Sequence, residues 1–298
     1  MKTQRDTFWD EIYELAKKDR DIIVISADMG APALDKFRRD LPSQYINTGI
    51  AEQNSILVGA GLAKEGKKVF VYAIASFLTL NCIEKIRVQC SMMKIPLNIV
   101  GVGAGFSYPD SGPTHHLIED ISIMRALPFI DIYSVSDSNV AKSVAQSYKK
   151  FKHSTYIRLE RQDFGNLYNS PPSLTSGFQR IIEGKNKLII STGALVPQIS
   201  QLLKNNQLSH GLLDVLTIPF NLNDFKELIS QYKELIVIEE HFTTGGLGSL
   251  LLEVLNELQI QTPIKRFGLS PQHGYCYSYG GREEIHKYYK LNLEKILN

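Results

Sequence analysis

Short, continuously apolar runs rich in β-branched residues alternate with stretches of helical periodicity, and this alternation constrains the fold more than any other feature of the chain. Asp21-Ile22-Ile23-Val24-Ile25-Ser26 follows the helically spaced Phe8, Ile12, Leu15 and Ala16. Similar runs occupy 68–73, 96–101, 130–135 and 154–159, with helical patterns over 50–65 and 77–92 and a helix before 154 that Ser136 or Asp137 can cap. Strands that are apolar on both faces and separated by helices need crossover connections, so the sheet is predicted to be mostly parallel and covered on both sides. The fold class that follows is α/β.

Residues 166–184 differ in character, with Gly, Asn, Ser and Pro clustered, and are read as a linker between a domain at 1–165 and a second, smaller one at 185–298. Beyond it the alternation restarts with strands at 187–192, 212–217, 234–239 and 264–267 and helices ending near Asn205 and starting at Asn223. A turn, Thr244-Gly245-Gly246-Leu247-Gly248, is predicted to open a helix from Leu250 to Leu258. Both domains are expected to be doubly wound. Such a turn can receive an anion, but packing is the reading preferred for it.

With 33 basic and 31 acidic side chains in 298 residues, the formal charge of +2 leaves no electrostatic footprint for nucleic acid. No apolar run approaches the roughly eighteen residues of a membrane span. The start Met1-Lys2-Thr3 leads into an amphipathic pattern and not a signal peptide, so a cytoplasmic setting is expected. Cys82, Cys90 and Cys276 form no CxxC pair, which argues against a disulfide framework or zinc site, and no metal ligands are expected in this chain.

Two constellations carry chemistry. Asn47-Thr48-Gly49-Ile50-Ala51-Glu52 puts a carboxylate at the start of an apolar helix, a position the helix dipole favours by itself. Asp110-Ser111-Gly112-Pro113-Thr114-His115-His116 places two of the seven histidines in a turn past a predicted parallel strand, where ligand sites of open α/β sheets lie. Imidazoles there suit proton handling near neutral pH. Gly101-Val102-Gly103-Ala104-Gly105-Phe106 lacks the last glycine of a dinucleotide fingerprint and is rejected as one.

Gly49-Ile50-Ala51-Glu52-Gln53, Ser76-Phe77-Leu78-Thr79, Gly112-Pro113-Thr114-His115-His116 and Glu239-Glu240-His241 with Gly245-Gly246-Leu247-Gly248-Ser249 occur in that order. Together they resemble the C-terminal half of the transketolase family, a pyrimidine-binding domain followed by the transketolase C-terminal domain, over nearly the whole chain. The resemblance implies thiamine diphosphate as cofactor and transfer of a two-carbon ketol unit from a ketose to an aldose. Glu52 matches the glutamate that hydrogen-bonds the aminopyrimidine ring nitrogen, where a protonated acid favours the imino tautomer needed for proton removal from the thiazolium carbon. His115 matches the histidine that contacts substrate carbonyl or hydroxyl groups, and His116 beside it is expected to contact substrate as well. Phe77 matches the aromatic residue under the pyrimidine, Leu80 and Ile83 complete an apolar pocket, and Asp28 matches an acid near the cofactor.

On the substrate side Gly103 stands at the position of the family's phosphate-holding histidine, and Ser111 at that of an aspartate reading a sugar hydroxyl. Arg161 matches an arginine that binds the sugar phosphate, so the substrate class implied is a sugar or sugar phosphate. The Gly-Asp-Gly segment that holds magnesium and diphosphate in thiamine enzymes is missing. The expected partner is therefore an N-terminal transketolase subunit that holds Mg2+ (or Ca2+), in an α2β2 heterotetramer. The alternative enzyme is the beta subunit of a 2-oxo-acid dehydrogenase, although its usual His-Ser-Gln loop is not seen, or another thiamine diphosphate carboligase. A non-catalytic scaffolding partner is the alternative of another class.

Overall fold

The computed structural model describes residues 2–298; Met1 lies outside the described residues. The first half contributes β1 (Ile22–Ser26), β2 (Tyr45–Asn47), β3 (Lys68–Ile74), β4 (Asn98–Val102), β5 (Ile130–Ser134) and β6 (Ser154–Leu159). Its helices are α1 (Gln4–Ala16), α2 (Asp35–Asp40), α3 (Glu52–Lys64), α4 (Ala75–Thr79), α5 (Ile83–Ile86), α6 (Asp120–Arg125) and α7 (Ser138–Gln146). The second half adds β7 (Phe178–Ile182), β8 (Lys187–Ser191), β9 (Gly211–Val215), β10 (Thr217–Ile218), β11 (Glu234–Phe242) and β12 (Ile264–Leu269). Its helices are α8 (Leu195–Asn205), α9 (Leu222–Ile229), α10 (Leu247–Glu257), α11 (Gly281–Tyr288) and α12 (Leu293–Leu297).

The strands order as β10-β5-β6-β4-β3-β1-β2 in one sheet and β12-β11-β8-β9-β7 in the other. All neighbours are parallel except β10 against β5 and β7 against β9. The molecule is thus α/β with two mostly parallel sheets, each flanked by helices, as the crossover argument requires. One face of the first sheet is closed by α1 and α7 through a cluster of buried rings, with Trp9 4.8 Å from Tyr72 and 5.3 Å from Phe8. Asp137 caps α7 by accepting from the Val140 amide at 2.9 Å.

Four features depart from the sequence reading. Residues 178–182, read as linker, form the edge strand β7, which carries no continuous apolar run because only its first residue, Phe178, is buried. Thr217 and Ile218 leave the second half and pair with Tyr133 and Ile132, so the first sheet ends in a strand from the other domain. The helix predicted over 77–92 is broken into α4, α5 and a wide turn at Arg87–Met92. Side chains compete for its carbonyls: Thr79 Oγ1 donates to Ala75 O at 2.7 Å, Cys82 Sγ to Phe77 O at 3.4 Å and Gln53 Nε2 to Asn81 O at 3.0 Å. Finally, α10 begins at Leu247 and not Leu250, because Glu239 accepts from the Leu247 and Gly248 amides at 2.7 and 3.0 Å. The group at this helix start is the protein's own Glu239 carboxyl, which burial pushes up to about 7.

The halves meet through buried polar groups. Asp214 of β9 accepts from Ser136 Oγ at 2.5 Å and Tyr168 Oη at 2.8 Å, and burial pushes its carboxyl up to about 7. Between about pH 4 and 7 the folded chain then keeps a proton that the unfolded chain releases, so this group's stabilisation is lost as pH rises. The slope approaches about 1.4 kcal/mol per pH unit. Asp214→Asn is expected to flatten that slope and to gain on the wild type as pH increases, read as melting temperature against pH from 4 to 8.

Candidate active site

Parallel strands leave their carboxyl ends on one edge, and the residues singled out in the first half line that edge. After β1 the Asp28 amide donates to Gly49 O at 2.9 Å, joining the first loop to the turn that starts α3, and the Asp28 side chain is exposed. Gly49 adopts φ 75°, a left-handed conformation that L side chains rarely take, and its amide donates to Asn47 Oδ1 at 2.8 Å. This turn delivers Glu52 to the first turn of α3, half-buried. The helix is seated tightly, since a Cβ at Gly59 would stand 2.9 Å from Val71 Cγ2.

The broken helix after β3 supplies the next wall. Gln53 reaches Asn81 O and Oδ1 at 3.0 and 3.1 Å, fixing the start of α3 against the α4–α5 turn, where Phe77, Leu80 and Ile83 are half-buried. Cys82 lies fully buried behind them, and burial pushes its thiol up to about 12, with the Glu52 charge adding to the effect. The close approach of α4 to β4 requires Gly101, whose Cβ would meet Ala75 Cβ at 2.7 Å.

The loop after β4 carries the histidines. The His115 ring lies 5.0 Å from Phe77, edge to face, and 6.1 Å from Tyr108, with Nδ1 3.2 Å from Thr114 Oγ1. His116 points the other way. It is 2% exposed, with its ring 5.2 Å from Phe106, Nε2 3.3 Å from Pro109 O and its pKa lowered by burial. The expectation that His116 contacts substrate is therefore corrected: adjacent residues of this turn face opposite sides, and His116 belongs to the interior. Ser111 is exposed on the same loop, and Arg161, also exposed, holds its guanidinium 5.1 Å above the Tyr108 ring.

Sequence reasoning missed Tyr108, although an aromatic residue before proline in a glycine-rich loop was a usable signal. It also missed the clamp beneath the loop. Glu240 of β11 accepts from the Phe106 amide at 2.9 Å and from Arg282 Nε and Nη2 at 2.8 and 2.7 Å. Arg282 also donates to Glu160 at 2.8 Å, and Glu160 in turn accepts from Ser107 Oγ and the Arg161 amide. Burial opposes the charge of Glu240, but Arg282 and His286 beside it hold its carboxyl well below the usual carboxylate range. Both the loop and the backbone of Arg161 are thus tied to the second half.

Comparison with known proteins follows the same division. Residues 1–166 match the family model described as transketolase, pyrimidine binding domain, and residues 178–296 match transketolase, C-terminal domain. A Methanocaldococcus jannaschii protein bearing the name of a transketolase C-terminal section is 31% identical over 99% of this chain and 94% of its own length. One subunit of the apulose-4-phosphate transketolase of Phocaeicola vulgatus is 28% identical over 98% of this chain and 94% of its own. A solved structure titled split gene transketolase, inactive beta4 tetramer, superposes with a TM-score of 0.86 at 24% identity, covering 100% of this chain and 96% of that one.

Proposed function

The chain belongs to the transketolase family, and from that premise we propose that it is the C-terminal subunit of a thiamine diphosphate-dependent transketolase, moving a two-carbon ketol unit from a ketose to an aldose. The observation that carries this reading is that α3, whose first turn holds Glu52, is tied through Gln53 to the α4–α5 turn, and that Phe77 of α4 lies 5.0 Å, ring to ring, from His115. A carboxylate, an aromatic face and two apolar side chains, Leu80 and Ile83, suit the edge and the faces of an aminopyrimidine. The Gly-Asp-Gly segment that holds a metal-bound diphosphate in thiamine enzymes is missing from the sequence.

When bound, thiamine diphosphate supplies the nucleophilic carbon and the electron sink for the two-carbon unit. Glu52 would place its carboxyl at the pyrimidine ring nitrogen, Phe77 would offer the ring an aromatic face, and Leu80 and Ile83 would keep water from it. Asp28 lies beside the turn that carries Glu52. His115 hydrogen-bonds and exchanges a proton with a substrate hydroxyl or carbonyl oxygen, with Phe77 and Tyr108 setting its plane. Ser111 and Arg161 face the substrate side, Arg161 as the anion contact.

The diphosphate, Mg2+ or Ca2+, and the rest of the pocket come from an N-terminal subunit, in an α2β2 assembly. The Phocaeicola vulgatus relative, whose length this chain nearly spans and which is itself named as one subunit of a transketolase, supports this division. A cytoplasmic setting is supported by Cys82, Cys90 and Cys276, all buried and unpaired; no helix among the described residues is long and apolar enough to cross a membrane.

Calorimetric titration of thiamine diphosphate with Mg2+ tests the proposal, first on this chain and then with the product of a neighbouring reading frame resembling a transketolase N-terminal half. Tight binding is expected in the mixture only. Tight binding by this chain alone overturns the division of the site.

A further inference from the structure

The loop that carries His115 is pinched at its base and tethered at its tip. Gly105 and Leu117 exchange amide-to-carbonyl hydrogen bonds at 2.9 Å in each direction, which closes residues 106–116 into a compact excursion after β4. Near the base the Phe106 amide donates to Glu240 at 2.9 Å. At the tip the exposed Asp110 accepts at Oδ1 from the amides of Gly281 and Gly280 at 3.2 and 3.4 Å, across 171 and 170 positions of sequence. Between tip and base the chain makes two tight turns, with the Ser111 amide donating to Tyr108 O at 3.2 Å and the His115 amide to Gly112 O at 3.0 Å. A displaced tip therefore carries the His115 ring with it.

The two amides at the tip belong to the start of α11. The first amides of a helix have no partner inside it, and Gly280, in the N-cap position, has no side chain to supply one. Gly280 and Gly281 take φ 129° and 83°, a path on which side chains are strained, and a Cβ at Gly280 would stand 2.9 Å from Glu284 Cγ. On this path both amides turn toward Asp110, whose carboxylate caps α11 from the other half of the chain, a charge the helix dipole favours. The next residue, Arg282, is buried and donates to Glu240 and Glu160. One helix start thus holds the tip through its backbone and the base through a side chain.

We propose that Asp110 is a positioning residue of this site: by capping α11 it fixes the tip of the loop, and with it the His115 ring 5.0 Å from Phe77. The second half then sets where a substrate oxygen meets the imidazole. The catalytic consequence rests on the reading of this cleft as a transketolase-type site; the coupling of Asp110 to His115 does not depend on it.

Asp110→Ala and Asp110→Asn, changes at an exposed position, are made in the full chain; asparagine keeps an oxygen that caps a helix and alanine does not. Histidine ring signals are recorded by NMR on the chain alone, with His115→Gln identifying the His115 line. With alanine that line is expected to move as the ring leaves Phe77, and amide exchange to rise at Ser111 and His115 while Phe106, held by Glu240, stays protected. With asparagine both are expected to stay as in the wild type. In the reconstituted enzyme Asp110→Ala is expected to lower kcat about tenfold, inside the ~10²-fold that a misplacement of about 1 Å costs, with thiamine diphosphate binding unchanged and turnover largely restored by asparagine. A purely structural tie would lower the melting temperature of Asp110→Ala and leave the His115 line in place; that result, or an asparagine variant displaced as far as the alanine one, overturns the proposal. A moved line in a chain that binds no thiamine diphosphate with the N-terminal half removes the transketolase reading and leaves the positioning role. Turnover in the reconstituted enzyme with an unmoved line removes the positioning role alone.

Discussion

Glu52→Ala in the reconstituted two-subunit enzyme is expected to lower kcat by about 10²- to 10⁴-fold, the range for loss of a positioned acid. The physical reason is local. Of the predicted cofactor contacts Phe77, Leu80 and Ile83 offer faces and no donors, and the other acid, Asp28, has an exposed side chain, which leaves Glu52 to place a proton at the pyrimidine nitrogen. Its side chain is half-buried on the first turn of a helix that is seated by Gly59, so the substitution leaves the fold in place. Steady-state turnover with saturating thiamine diphosphate, beside an unchanged circular dichroism spectrum, is the measurement. Glu52→Gln is expected to fall short of the wild type as well, because an amide holds the hydrogen bond but does not exchange the proton. Full activity of the alanine variant would mean that this chain only supports its partner as a scaffold.

Arg282→Ala is expected to cost about 3–5 kcal/mol of stability, the range for removing one partner of a buried ion pair. Arg282 sits between Glu160 and Glu240 with all three side chains nearly inaccessible. Without it two carboxylates share one enclosed space, and Glu240 resists protonation because His286 still lies 2.5 Å away. The denaturation midpoint is expected to fall, and amide exchange to rise first at Phe106 and Arg161, whose N–H groups donate to these two acids. Arg282→Met combined with Glu240→Gln is expected to recover part of the loss, since it removes a charge from each side of the pair. A midpoint for Arg282→Ala within about 1 kcal/mol of the wild type would show that the clamp is not a stability element.

The α/β class could be read directly from the chain because a strand buried on both faces needs a continuous apolar run, and residues 22–25, 69–74, 99–102, 188–190 and 235–238 supply one in β1, β3, β4, β8 and β11. The Asp137 cap and the place of Glu52 at a helix start were legible for a similar reason: each depends on residues within four positions of itself. The ordered motifs added what local physics could not, the family.

Tertiary structure decided the rest. The sequence treats His115 and His116 alike; only the packing of Phe106 and the Pro109 carbonyl turns one ring inward and leaves the other beside Phe77. The break between α4 and α5 comes from side chains competing for backbone carbonyls, one of them brought in by Gln53 from another helix. Thr217 and Ile218 join the first sheet, and Arg282 reaches Glu160 across 122 positions of sequence. Local sequence determined which segments form strands and helices, because hydrogen bonding and burial periodicity act over a few residues. Which side chains face the cleft, and how the second half holds the loop that forms it, depended on contacts between distant segments, whose energies exist only once the chain has folded.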